Sequence, residues 1–196
     1  MAEMTPRFNH FSHRHPLQLS RSTFKPDKHK EEEEEAICCG CEFHIAGAGY
    51  ASKYTCTKPS CGFVLHDSCF DLPRKIRHDA HPKHALTLLP SPPYSDREFT
   101  CDACGNSGHA FIFHCSRCKF DLHVECASVP ETEVREDHPH PLALCYSNLK
   151  GKEIGEEEGE EEFECFVCKR VVLKWGCWFY YCFTCKCGTH MECATN

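Results

Sequence analysis

The chain has 196 residues, a net charge of −7, and 19 cysteines beside 15 histidines. The negative balance argues against a nucleic-acid partner held by bulk charge. The odd cysteine count, a polar amino terminus with no apolar signal core and the lack of a bilayer-length apolar stretch argue against a secreted disulfide scaffold or a membrane protein. Reduced thiols in the cytoplasm or nucleus, available to metal, are the expectation.

In chain order, residues 1–30 lean basic through Arg7, Arg14, Arg21, Lys25, Lys28 and Lys30. Within them, His13-Arg-His15-Pro-Leu17-Gln-Leu19 ends in alternating leucines, the period of a short half-buried strand. An acidic run at 31–35 follows; it reads as a solvated loop, or alternatively as a docking site for a basic partner. Then comes a cysteine/histidine phrase, Cys38, Cys41, Cys56, Cys61, His66 and Cys69.

The same order returns twice. His81-Pro-Lys-His84-Ala-Leu86-Thr-Leu88 leads into Cys101, Cys104, Cys115, Cys118, His123 and Cys126. His138-Pro-His140-Pro-Leu142-Ala-Leu144, with a second acidic run at 156–162, leads into Cys165, Cys168, Cys182, Cys185, His190 and Cys193. Three modules are therefore expected, at 10–70, 78–127 and 135–196, with short linkers at 70–77 and 127–134. Modules this small bury little apolar surface and need a staple. Zinc fits: it prefers thiolate and imidazole in tetrahedral sets, and its apparent binding energy of about 10–16 kcal/mol becomes folding energy.

Aromatics repeat with the phrase. Tyr54, Phe113 and Tyr180 stand two residues before the second cysteine pair, Phe63 and Phe120 two after it, and Phe99 and Phe163 two before the first pair. A miniature core is expected from them. The third copy departs, with Cys187 in the Phe63 position and Thr189 in the Leu65 position. Its core is expected to be weaker, offset by Trp175, Trp178, Phe179 and Tyr181, a cluster that is also a candidate sticky surface.

Each phrase supplies five cysteines and one histidine, and two tetrahedral ions need eight donors. The two leader histidines close the count at two Zn2+ per module and six per chain. In the expected wiring, one ion takes the first cysteine pair with the His-x2-Cys, and the other takes the leader histidines with the second pair. His13 and His15, like His138 and His140, are two apart and share a face if they lie on a strand. His81 and His84 are three apart and need a bend. A rival donor is the histidine downstream, His78 or His138; only Ala-Thr-Asn follows Cys193, so the rival fails in the third copy unless the chain is a fragment. Cys39, Cys145, Cys177 and Cys187 stay unassigned and are read as buried small residues, with a reactive thiol as the alternative. His10, His29, His44, His109 and His114 are read as surface or packing residues.

The pattern His-x-His-Pro-Leu-x-Leu, Cys-x2-Cys, then (Tyr/Phe)-x-Cys-x2-Cys-x-Phe-x-Leu-His-x2-Cys resembles the plant DC1 (divergent C1) family. The run Phe113-His-Cys115-Ser-Arg-Cys118-Lys-Phe120-Asp-Leu122-His123-Val-Glu-Cys126 matches it best, whereas the first copy spaces its second pair as Cys56-x4-Cys61. The resemblance implies a small zinc-stabilised α+β fold: C1-like modules of short antiparallel strands, a short helix near each His-x2-Cys, and two structural zincs. It also implies a non-enzymatic, protein-binding adaptor in plant intracellular signalling, in stress, defence or hormone responses, with no small-molecule substrate. The Gln-Gly of lipid-binding C1 loops is absent, which argues against diacylglycerol. A chromatin reader with PHD-like spacing over residues 38–104 would leave the leader histidines unused. A thiol reductase would need a larger α/β alternation, and ubiquitin ligases order their ligands differently. Lys169, Arg170, Lys174 and Lys186 offer only a weak nucleic-acid surface.

Overall fold

A computed structural model describes residues 6–21, 36–45, 52–146, 162–174 and 176–194. Trp175 and all but Glu162 of the two acidic runs lie outside these residues, as do Lys25, Lys28, His29 and Lys30. Three four-stranded sheets follow one another along the chain.

The first sheet is a meander of β1 (Arg7–His10), β2 (His13–Arg21), β3 (Ser52–Cys56) and β4 (Val64–His66), closed by helix α1 (Asp67–Phe70). The second contains β5 (Lys75–Ile76) and β6 (Leu86–Leu89). It is interrupted by a two-stranded ribbon, β7 (Phe99–Thr100) with β8 (Ser107–Gly108), and completed by β9 (Ile112–Cys115) and β10 (Phe120–His123). The third repeats this with β11 (Thr132–Glu133), β12 (Leu142–Cys145), the ribbon β13 (Glu162–Glu164) with β14 (Val171–Leu173), then β15 (Phe179–Cys182), β16 (Cys187–His190) and helix α2 (Met191–Ala194). All the strand pairs are antiparallel.

The alternating leucines lie in β2, β6 and β12, with Leu17, Leu86, Leu88 and Leu142 fully buried. The stretches that read as linkers hold β5 and β11, which pair with the leucine strands at Lys75↔Thr87 and Thr132↔Ala143. Strands of two residues carry too little periodicity to register in sequence. The histidine pair 138/140 is not on a strand: it occupies a bend ahead of β12, whereas His13 and His15 lie in β2. Proline on both sides of His140 explains the difference, because it removes the N–H groups a strand would pair.

A short α-helix follows the histidine in the first and third copies only. In the second, a 3-10 turn at Cys126–Ser128 takes its place. There the Ser128 hydroxyl donates to the Val124 carbonyl at 2.9 Å, the acceptor an α-turn would have given to the Ser128 N–H, and that N–H bonds Glu125 O instead. Among the described residues no helix is long and apolar enough to cross a membrane.

One apolar cluster runs through all three sheets. Two equivalent joints carry it from copy to copy. Phe111 N–H donates to Gly40 O at 3.0 Å, and Trp178 N–H donates to Ala103 O at 2.7 Å. Gly40 and Ala103 hold the same place, two residues into the first cysteine pair, and Phe111 and Trp178 each enter the third strand of the next sheet. Both aromatics are almost fully buried. The residue beneath them is small: a Cβ on Gly40 would come to 3.1–3.2 Å of Leu65, Cys69 and Phe111, which would have to give way. Trp178, far from exposed, packs on His78 and Tyr146 with ring centroids 5.1 and 4.7 Å away.

Trp178→Ala is expected to cost about 3–5 kcal/mol. It should also split the unfolding of the second and third sheets into separate transitions, which calorimetry on the zinc-loaded chain would resolve.

Candidate metal centres

Each first cysteine pair sits at the tip of a miniature hairpin. In the second and third copies the hairpin is a two-stranded ribbon; in the first it is the single bridge Ile37↔His44. The turn is the same three times. The first cysteine's carbonyl accepts from the residue after the second cysteine, at 2.9 Å (Glu42 to Cys38), 2.8 Å (Gly105 to Cys101) and 2.9 Å (Lys169 to Cys165). Those donors have φ of 64°, 74° and 60°, the left-handed conformation that turns both thiols inward. Lys119 and Lys186 repeat it after Cys118 and Cys185, at 57° and 54°.

Opposite each tip a histidine closes the group. Nδ1 of His66, His123 and His190 lies 3.2, 3.4 and 3.4 Å from Cys41, Cys104 and Cys168, and 3.9 Å from Cys69, Cys126 and Cys193. Its Nε2–H donates to a carbonyl of the same hairpin: His44 at 3.2 Å, Ser107 at 3.2 Å or Val171 at 3.1 Å. That bond fixes the tautomer and leaves the Nδ1 lone pair for a metal. Cys38, Cys41, His66 and Cys69 form one group, and Cys101, Cys104, His123 and Cys126 another, each with all donor atoms within 4.8 Å of one another.

The leader histidines meet the second cysteine pairs. His13, His15, Cys56 and Cys61 gather in the first copy; His81, His84, Cys115 and Cys118 in the second; His138, His140, Cys182 and Cys185 in the third. His13 Nε2 stands 3.3 Å from Cys56 and 3.4 Å from Cys61, and Nδ1 of His84 and of His140 stands 3.2 Å from Cys118 and from Cys185. Nε2 of His81 and of His138 is buried without a hydrogen-bond partner. A buried lone pair aimed into a cage of thiols is what a bound cation resolves. Tetrahedral bonds of about 2.0–2.3 Å put donors about 3.3–3.8 Å apart, so the spacing and the donor chemistry fit Zn2+. Zinc held by these residues would supply the positive charge that keeps thiolate and imidazole donors together.

Thiol acidity follows the same geometry. The Cys38 and Cys101 thiols are driven far below their ordinary value by hydrogen bonds from Cys41 and Cys104, and then from Cys69 and Cys126. Hydrogen bonding to Cys101, and next to Cys104, in turn holds His123 up at about 10. Burial pushes Cys165 up, but the Cys168 N–H and the Thr189 hydroxyl outweigh it and bring it to about 5.

Two of the aromatics expected in a miniature core, Phe120 within the apolar cluster and Phe63 packed against it, also face the donors. Phe63 stacks on His13 at 4.2 Å and Phe120 on His81 at 4.8 Å. The third copy lacks that phenylalanine, and Phe166, from the first cysteine pair, stacks on His138 at 5.4 Å in its stead. Thr189 is not a weak substitute for leucine either: fully buried, its hydroxyl lies 3.1 Å from Cys165 Sγ. The downstream rival His78 joins no group and packs on Trp178. Cys101 and Cys104 pair with His123 and Cys126, not with the first copy as a finger over 38–104 would require. Cys145 is buried, with its thiol pushed up to about 11; Cys39, Cys177 and Cys187 are half-buried, and Cys177 lies against Gly105. Sequence reasoning missed the setting of His114, which is buried with its Nδ1 2.6 Å from Asp121 Oδ1. No spacing signals it, because Thr55 and Tyr181 occupy its place in the other copies.

A model of the C1 domain family matches residues 79–127 and 136–194, more than half of the chain. A relative, probable nucleoredoxin 1 of Arabidopsis thaliana, is 37% identical over 67 residues, covering 34% of this chain. The matched stretch is only 11% of that relative's length. No solved structure matches.

Cys118 and Cys185 are exposed, whereas Cys101 and Cys165 are buried. Metal is therefore expected to leave in two phases on chelation. Mass spectrometry should find alkylation at Cys118 and Cys185 before it reaches Cys101 or Cys165.

Proposed function

This chain belongs to the C1 domain family, and on that premise we propose that it is a non-catalytic zinc scaffold that binds other proteins in plant intracellular signalling. Three modules, at 10–70, 78–127 and 135–196, each hold two Zn2+ through the twenty-four residues that the donor count assigns, six ions per chain. The observation that carries the reading is the closure of the Cys/His groups: the two cysteine pairs of a copy are each completed by histidine, so zinc is a fastener and not a reagent. The plant setting rests on the DC1 resemblance and the Arabidopsis relative. The role in stress, defence or hormone response rests on the resemblance alone.

A second reading, thiol–disulfide exchange, is favoured by the name of that relative and by the thiols outside the groups, Cys39, Cys145, Cys177 and Cys187. Against it, burial raises the pKa of all four thiols, and a reactive thiol needs the opposite.

Native mass spectrometry is expected to show six zinc ions, and chelation to unfold the chain and abolish capture of its partners from a plant lysate. Insulin reduction by the zinc-loaded protein at a rate above free dithiol would overturn the scaffold reading in favour of exchange.

A further inference from the structure

The second sheet carries a feature that zinc binding does not require. The outward face has a polar row running across it, because side chains of directly paired residues share a face. The row is Asp121 beside His114, His114 beside Thr87, and Thr87 beside Lys75. The equivalent row in the first sheet carries Val64, Thr55 and Gln18, and in the third Gly188, Tyr181 and Ala143.

His114 is only 6% exposed, and its Nδ1 bonds Asp121 Oδ1 at 2.6 Å. The orientation is built from behind. Tyr94 donates its hydroxyl to the other oxygen of Asp121, and the Asp121 N–H bonds Asp102 Oδ2 at 2.7 Å. Burial, and then Asp121, keep the Tyr94 phenol protonated and so a donor. The ring is thus locked with Nε2 left over, and among the described residues Nε2 has no hydrogen-bond partner. His114 is one wall of a cavity of about 300 Å³. Lys83, Thr87, Ser116 and Arg117 line the same space, beside His84 and Cys115. Lys83 and Arg117 are both exposed. Neither has a carboxylate partner among the described residues. Two unpaired cations and two hydroxyls around one concave space describe the lining of an oxyanion site.

We propose that this cavity binds a phosphate group, with the Arg117 fork and the Lys83 ammonium on its oxygens and Thr87 and Ser116 donating, over a floor held rigid by the His114–Asp121 pair. The phosphate is the monoester of a partner protein's side chain, which deepens the scaffold reading and rests on it for the partner being a protein. The adjoining zinc group has its four donors, so the phosphate meets side chains and not the metal.

The test titrates the zinc-loaded full chain with a short phosphoserine peptide, the same peptide without phosphate, and inorganic phosphate, read by calorimetry. The phosphopeptide should bind and its unphosphorylated form should not. Lys83→Gln with Arg117→Gln, both on exposed side chains, should weaken binding about tenfold or more per cation removed while leaving the zinc content by native mass unchanged. Equal binding by the double variant, or no response at about 10 mM of either phosphate ligand, would overturn the site. Binding of inorganic phosphate without the peptide would overturn the side-chain assignment. Zinc stoichiometry and chelator-sensitive capture are read separately, so the scaffold reading stands or falls on its own.

Discussion

Everything in this fold depends on drawing four donors from three separate places in the sequence to one point. Cys101 and Cys104 come from a hairpin tip, His123 from the end of a strand and Cys126 from the turn after it. The sheets alone bury too little to hold such short strands, several only two residues long. Backbone geometry serves the same end. Left-handed residues after the cysteines, N–H groups directed at sulfur and carbonyls on the far ring nitrogen all prepare thiols and imidazoles for one cation.

The groups differ in surroundings although they share donors. Those at the hairpin tips are sunk in the apolar cluster, with Cys38 and Cys165 fully buried. Those built on the leader histidines straddle the surface: Cys56, Cys115 and Cys182 are buried while Cys118 and Cys185 are exposed, and a single phenylalanine stacks on one histidine of each group. One set therefore anchors the core, and the other ties the leader strand onto its edge.

Much of this was legible in the sequence, because ligand number is a hard constraint. Five cysteines and one histidine cannot complete two tetrahedra, and only the leader supplied the remainder in every copy. The alternating leucines likewise gave β2, β6 and β12. Complementarity across strands was not legible. Phe166 replacing the missing phenylalanine over His138, and the Thr189 hydroxyl reaching Cys165, are visible only once residues remote in sequence are neighbours. The same holds for His114 and Asp121, an imidazole–carboxylate pair where the other copies place Thr55 with Val64 and Tyr181 with Gly188. The Pro-His-Pro context of His140 did signal a break in the strand, but the two-residue spacing outweighed it.

The joints between sheets are directional. Phe111 of the second copy gives a hydrogen bond to the first, and Ala103 of the second receives one from the third. The middle copy is thus a keystone, donor on one flank and acceptor on the other, and its hairpin tip is both a metal cage and a seat for Trp178. Disturbing Cys101 or Cys104 would not merely loosen one unit: it would unseat the tryptophan and leave the outer two sheets without a common reference frame.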